Sequence, residues 1–155
     1  MARALIYVCL ALWLTSCKQI EVTEEVVFIP KQEWHANYEP AVVFQVADSG
    51  VHDAVLLLRI RERYAFNNLV LQMTVKDTAT HRQITSQMLN VPLTNTQKEW
   101  AGHSIGDTYD YRVGLPPLTL PKGIYRISFR QQMQEDPLYY VMNIGMGLKP
   151  QTDKQ

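Results

Sequence analysis

The chain has 155 residues, 46% of them apolar and 19% charged, and its 15 basic and 15 acidic residues balance to a formal charge of zero. That balance excludes a nucleic-acid binder working through a strong basic field. The length suits one domain with a sizeable core and leaves little room for two.

A single basic residue, Arg3, precedes an apolar run from Ala4 to Leu14. A basic start, an apolar run of about ten residues and small residues before a cut make a bacterial secretory signal. The run is shorter than the ~20 apolar residues that span a bilayer. At its end, Leu14-Thr15-Ser16-Cys17 resembles the lipobox of bacterial lipoproteins. That resemblance implies cleavage between Ser16 and Cys17, a diacylglyceryl group on the Cys17 thiol and acylation of the new terminal amine. One acyl chain holds only reversibly, whereas two or three hold durably. Residues 1–16 are therefore the expected signal, and Cys17 is the expected membrane anchor. Cys9 leaves with the signal and Cys17 is consumed by lipid, so the domain is expected to rest on packing without a disulfide. Loss of Arg3 leaves 14 basic against 15 acidic residues, and no net field then draws the chain to an anionic membrane surface.

Residues 17–27, with Glu21, Glu24 and Glu25, show no sustained period and read as a tether. From Phe28 the pattern becomes short segments of period two separated by turn residues, the signature of half-buried strands. Val42, Phe44 and Val46 share a face, and Asp48-Ser49-Gly50 ends the segment. Leu56, Leu58 and Ile60 alternate with Leu57, Arg59 and Arg61, and Leu69, Leu71, Met73 and Val75 form the clearest amphipathic strand. Asp77 to Thr80 reads as a hairpin loop, followed by a weaker strand reaching Leu89, Val91 and Leu93. Asn95 to Asp107 lacks alternation, and Thr94 to Trp100 is the best place for a short helix. Tyr109, Tyr111 and Val113 share a face. Pro116, Pro117 and Pro121 impose extended or turn backbone, and Lys122-Gly123 turns into a strand with Tyr125, Ile127, Phe129 and Met133 on one side. Leu138, Tyr140, Met142, Ile144, Met146 and Leu148 complete one face of a last strand, whose other face includes Gly145 and Gly147. Roughly eight strands and no sustained helical period predict an all-β, antiparallel, jelly-roll-like β-sandwich. It forms one domain over residues 28–150, with a tail at 151–155.

For chemistry, His35, His52, His81 and His103 are far apart in sequence and read as unpaired surface histidines, so no metal is expected. Asp48, Asp53 and Glu135-Asp136 offer oxygen ligands but no dense acidic loop. There is no Gly-x-Ser-x-Gly elbow, no free mature thiol and no phosphate-cradling loop, and nothing selects a carboxylate pair. No catalytic residue and no cofactor are therefore expected. The candidate binding residues are aromatic: Trp34, Trp100 and Tyr139, with Tyr38 beside them. Such rings stack on sugars when exposed, or cover the ends of a sandwich when buried, and the second use is the commoner. Arg59 sits among apolar neighbours and calls for a carboxylate, with Asp48 or Asp53 as the expected partner.

These features accumulate into a family likeness. The chain resembles the gliding motility lipoprotein GldH family of the Bacteroidota. The similarity lies in the lipobox with Cys17, in Phe28 and Trp34, Leu58-Arg59 leading to Tyr64, Asn68-Leu69, Trp100-Ala101-Gly102, and the Asp107 to Arg112 segment. It continues through Pro121-Lys122-Gly123-Ile124-Tyr125, Gln132-Met133 and Asn143-Ile144-Gly145-Met146-Gly147-Leu148. The resemblance implies a non-enzymatic lipoprotein facing the periplasm in the cell envelope. It is held to the membrane through lipid on Cys17 and docks on envelope proteins of the motility or type IX secretion machinery. No catalytic residue comes with the family. The stretch from Trp100 to Gly106 has fewer glycines than in other members. The alternative is a glycan-binding envelope lipoprotein with a jelly-roll domain.

Overall fold

Alternation puts one side of each strand in the interior, and in the computed structural model, which describes residues 22–151, that pattern holds along most of the chain. The elements in order are β1 (Thr23–Phe28), a 3-10 turn (Pro30–Gln32), β2 (Glu33–Trp34), β3 (Ala41–Val46), β4 (Gly50–Arg61) and β5 (Asn68–Asp77). There follow β6 (Gln83–Pro92), β7 (His103–Ile105), β8 (Thr108–Leu120), β9 (Gly123–Gln131), β10 (Leu138–Tyr139) and β11 (Val141–Pro150).

One sheet runs β1-β11-β4-β8-β7, the other runs β3-β9-β5-β6, and β2 pairs with β10 apart from both. Every pairing is antiparallel. Setting aside the short β2, β7 and β10, the eight long strands counted in chain order stand as 1-8-3-6 in one sheet and 2-7-4-5 in the other. That is the strand order of a jelly roll, so the expected all-β sandwich is the fold formed.

The core is what the period-two pattern marked. Val42, Phe44 and Val46 of β3, Leu69, Leu71, Met73 and Val75 of β5, and Ile127 and Phe129 of β9 are buried. They meet Leu56, Leu58 and Ile60 of β4 and Ile144, Met146 and Leu148 of β11 from the facing sheet. Each such side chain stabilises the fold by ~1.5–3 kcal/mol through burial, and the buried set runs through both sheets as one cluster.

Five expectations need correction. The tether ends early, because Thr23–Phe28 is already β1, paired along its length with β11 from Thr23↔Leu148 to Phe28↔Asn143. Most of that strand is exposed, which erased its alternation. Thr94 to Trp100 holds no helix: the side-chain oxygen of Asn95 accepts from the amides of Gln97 (2.9 Å) and Glu99 (3.0 Å), and Lys98 turns left-handed at φ 65°. The last strand is interrupted, since Tyr140 is left-handed (φ 67°) between β10 and β11 and the register with β4 shifts between Val141 and Asn143. Arg59 pairs with Asp110, across the sheet on β8, in place of Asp48 or Asp53. His52 is buried, and because a carbonyl only accepts, its Nδ1 must carry the proton it donates to the Gly50 oxygen at 3.1 Å.

Pro116 and Pro117 lie inside β8 where the register with β4 shifts between His52 and Ala54, so their missing N–H groups interrupt no regular ladder. Residues 1–21 and 152–155, including the expected signal, Cys17 and the end of the tail, lie outside the described residues.

Candidate functional site

Strand direction divides the domain into two ends. β1 starts at the end that holds the turns at 47–49, 78–82 and 121–122. About ten residues of strand away, or ~30 Å at ~3.3 Å per residue, lie the segments 29–40, 62–67, 93–102 and 132–140. All the aromatic candidates are at this second end.

The structure gives them different roles. Trp34 is fully buried and donates from Nε1 to the Tyr38 carbonyl at 3.0 Å, while β2 clamps it against Leu138 of β10. It is a core residue with no face left for a sugar. Trp100 is half-buried against Tyr109, ring centroids 5.6 Å apart. Tyr139 is 44% exposed, its ring 6.2 Å from that of Tyr140. The guanidinium of Arg63 sits 5.4 Å from the Tyr140 ring centre, a cation–π contact.

Around Tyr139 and Tyr140 the backbone is strained and held. Lys31 (φ 52°), Gln32 (φ 61°) and Tyr140 (φ 67°) are all left-handed without being glycine, each costing on the order of 1–3 kcal/mol. The Tyr140 amide donates to the Gln32 carbonyl at 2.8 Å, and the Arg61 amide donates to the Tyr140 carbonyl at 2.9 Å. The Arg61 side chain donates from Nε to Gln32 Oε1 at 2.8 Å and from Nη1 to Asp107. Four segments thus converge to fix the corner that presents Tyr139. The sequence signalled the aromatic residues but not the corner, since its strain arises from contacts between distant segments.

The outer face of the five-stranded sheet explains the closing glycines. Phe28, Asn143, Arg59, Asp110 and His103 stand in register across all five strands. Arg59 grips Asp110 with Nε and Nη2, the second at 2.6 Å. Those hydrogen bonds hold the Asp110 carboxyl below the usual carboxylate range and raise Arg59. On the next rows Glu24 of β1 reaches over β11 and β4 to Arg112 of β8, donors Nη1 (3.1 Å) and Nη2. Arg112 likewise depresses the Glu24 carboxyl. Under this clasp lies Gly147, with Glu24 Cγ 3.3 Å from where a Cβ would be. Beside it a Cβ on Gly145 would collide with the Glu25 carbonyl oxygen and stand 2.6 Å from the Val26 Cα. The two glycines let β1 and its side chains lie close over β11.

Gly102 has a similar purpose. A Cβ there would be 2.8 Å from the Tyr111 ring, whose hydroxyl donates to the Leu93 carbonyl at 2.8 Å. Burial pushes the Tyr111 hydroxyl up to about 12, so at neutral pH it remains a donor. Trp100-Ala101-Gly102 is therefore a seat for Tyr111 that closes the Leu93 to Gly102 loop.

Two of the acidic residues weighed as oxygen ligands act as local acceptors: Asp136 accepts from the Ala36 amide at 3.0 Å, and Asp53 accepts from Gln151. Among the described residues no three of His, Cys, Asp and Glu gather as a metal site, and no helix is long and apolar enough to cross a membrane.

Comparison with known proteins gives one family and several distant likenesses. Residues 21–148 match the sequence profile of the family described as GldH lipoprotein. No curated protein matches. Among solved structures, one from Sulfurospirillum deleyianum is similar at 8% identity and TM-score 0.47, with 84% of this chain and 98% of that chain covered. Dimeric latent PorU from Porphyromonas gingivalis is similar at 13% identity and TM-score 0.34 over 88% of this chain, which spans only 14% of PorU. A family 35 carbohydrate binding module from Clostridium thermocellum is similar at 11% identity and TM-score 0.38, with 81% of this chain and 90% of the module covered. Likenesses this distant carry nothing about function to this chain.

Proposed function

The chain belongs to the GldH lipoprotein family; it is a GldH-like lipoprotein of the cell envelope, and we propose that it is a non-enzymatic docking component of motility or type IX secretion machinery. In this reading Cys17 carries the lipid, the jelly roll faces the periplasm, and the end remote from the tether meets the partner. The observation that carries it is the family match, which starts at residue 21, four residues after Cys17. The corner at Gln32, Arg61, Asp107 and Tyr140 supports a docking role, because it holds an exposed tyrosine on strained but well-bonded backbone. Preorganised aromatic anchors of this kind lose little entropy on binding.

Crosslinking in intact envelopes, followed by purification of the chain, tests the proposal. It predicts recovery of a defined envelope protein that Tyr139→Ala weakens. Recovery of no envelope protein overturns docking. Cys17→Ala should leave the precursor unprocessed or release the chain from the membrane, and normal processing and retention would sink the anchor.

A second reading, glycan binding, has Tyr139 and the half-buried Trp100 in its favour. Glycan-array binding that Trp100→Ala and Tyr139→Ala both abolish would establish it in place of protein docking.

A further inference from the structure

The two outer faces of the sandwich treat their charges differently. On the five-stranded sheet Arg59, Arg61 and Arg112 each hold a carboxylate. On the four-stranded sheet Lys76 of β5 and Arg126 of β9 are directly opposite each other in register, both exposed. Among the described residues neither has an ion-pair partner. Like charges facing across a ladder destabilise it, so this pair is a cost to the isolated domain. Arg126 is also opposite Val43, and Ile124 is opposite Gln45, with Val43 52% and Ile124 47% exposed. Two cations and two bare aliphatic side chains thus share one corner.

That corner is at the end where β1 begins. Only Lys18 to Val22 separate Cys17 from Thr23, and six chain steps span at most ~20 Å at ~3.4 Å each, whatever their conformation. β1 also packs beside β3, the edge strand that carries Val43.

We propose that the Lys76, Arg126, Val43 and Ile124 corner is a membrane-contact face that binds the anionic lipid headgroups of the bilayer in which the chain is anchored. The inference rests on the lipid anchor at Cys17. Phosphate between Lys76 and Arg126 removes their repulsion, and Val43 and Ile124 enter the headgroup layer. The domain then leans on this corner with Tyr139 turned to the periplasmic space. Net neutrality concealed this, because it averages paired charges elsewhere with an unpaired corner.

The test uses the full processed chain reconstituted in vesicles of phosphatidylcholine alone or with phosphatidylglycerol. Reductive methylation with formaldehyde and cyanoborohydride is followed by mass spectrometry at Lys76 and at Lys31, which is exposed at the opposite end. Lys76 should react about fivefold more slowly on the anionic vesicles, matching the ~1 kcal/mol by which an anionic surface attracts one cation. High salt or Arg126→Ala should restore the rate, with Lys31 unchanged throughout. Equal Lys76 rates on both vesicles overturn the proposal. Protection that arises only when envelope proteins are added also overturns it and assigns the corner to a protein partner. The mass of the amino-terminal peptide from the same sample reports acylation of Cys17, so failure of the anchor is read separately from failure of the face.

Discussion

Glu24 of the first strand and Arg112 of β8 form a two-point ion pair that crosses β11 and β4 on the outer face of the five-stranded sheet. Partly exposed pairs contribute little individually. This one ties an edge strand, otherwise held in its sheet by β11 alone, to the far side of the sheet. Arg112→Ala should lower stability by about 1 kcal/mol in urea titrations. A change below the error of the measurement would show that solvent screens the clasp completely.

The same pairs set the acid response. The carboxyls of Glu24 and Asp110 titrate below their unfolded values because arginines bond their charged forms. Their contribution is therefore complete above the unfolded carboxylate pKa of about 4 and is lost as pH falls through the depressed folded values. The stability difference between the native chain and an Arg59→Ala, Arg112→Ala double variant should be constant from pH 7 to 5 and shrink toward pH 2. A difference that persists undiminished at pH 2 would contradict the assignment.

Gly145 and Gly114 make a matched comparison within one sheet. A methyl at Gly145 meets β1 backbone, whereas a methyl at Gly114 meets nothing within 4 Å. Gly145→Ala should cost about 3 kcal/mol or more, because backbone and not a flexible side chain must move. Gly114→Ala should be neutral or stabilise by about 0.5 kcal/mol by restricting the unfolded chain. Thermal melts of the two variants decide it, and equal midpoints would remove the close-approach argument.

Tyr111→Phe removes one of the two donors to the Leu93 carbonyl, which keeps the Ala101 amide at 2.9 Å, and should cost about 1 kcal/mol. It should also broaden the near-ultraviolet signal of Trp100, whose loop it closes. Gly102→Ala should do the same by displacing the Tyr111 ring. A variant pair in which only one residue matters would separate the hydrogen bond from the packing.

Trp34 and Trp100 should respond oppositely to a soluble quencher. Trp34 is enclosed, so its fluorescence should resist acrylamide, and Trp34→Ala should cost roughly 3–5 kcal/mol. Fluorescence lost mainly through Trp34 would contradict its core position.

Legibility in the sequence followed burial on one side. Leu69, Leu71, Met73 and Val75 were readable because one face of β5 is dry and the other wet, and the same contrast revealed β3 and β9. β1 was missed because an edge strand with both sides largely exposed has no contrast to print in its residues. The break between β10 and β11 is illegible in the sequence because a left-handed tyrosine leaves no mark in the order of apolar residues. The partner of Arg59 is illegible in the sequence because Asp110 is 51 positions away and only the jelly-roll order makes β4 and β8 neighbours. The aromatic residues stand out in the sequence as a class without showing their roles. Their division into core, seat and exposed surface depended on which segments meet at one end, and that is a property of the packing.

The pairing of β1 with β11 gives the domain a mechanical axis. In the proposed arrangement, with an anchor ahead of Thr23 and a partner at the Tyr139 end, tension would pull β1 along its own length. The six paired positions from Thr23↔Leu148 to Phe28↔Asn143 then share the load in shear, whereas a ladder pulled sideways opens one bond at a time. The Glu24–Arg112 clasp passes part of that load from β1 directly to β8, past β11 and β4. In the arrangement proposed above, a pull between anchor and partner would meet this shear geometry.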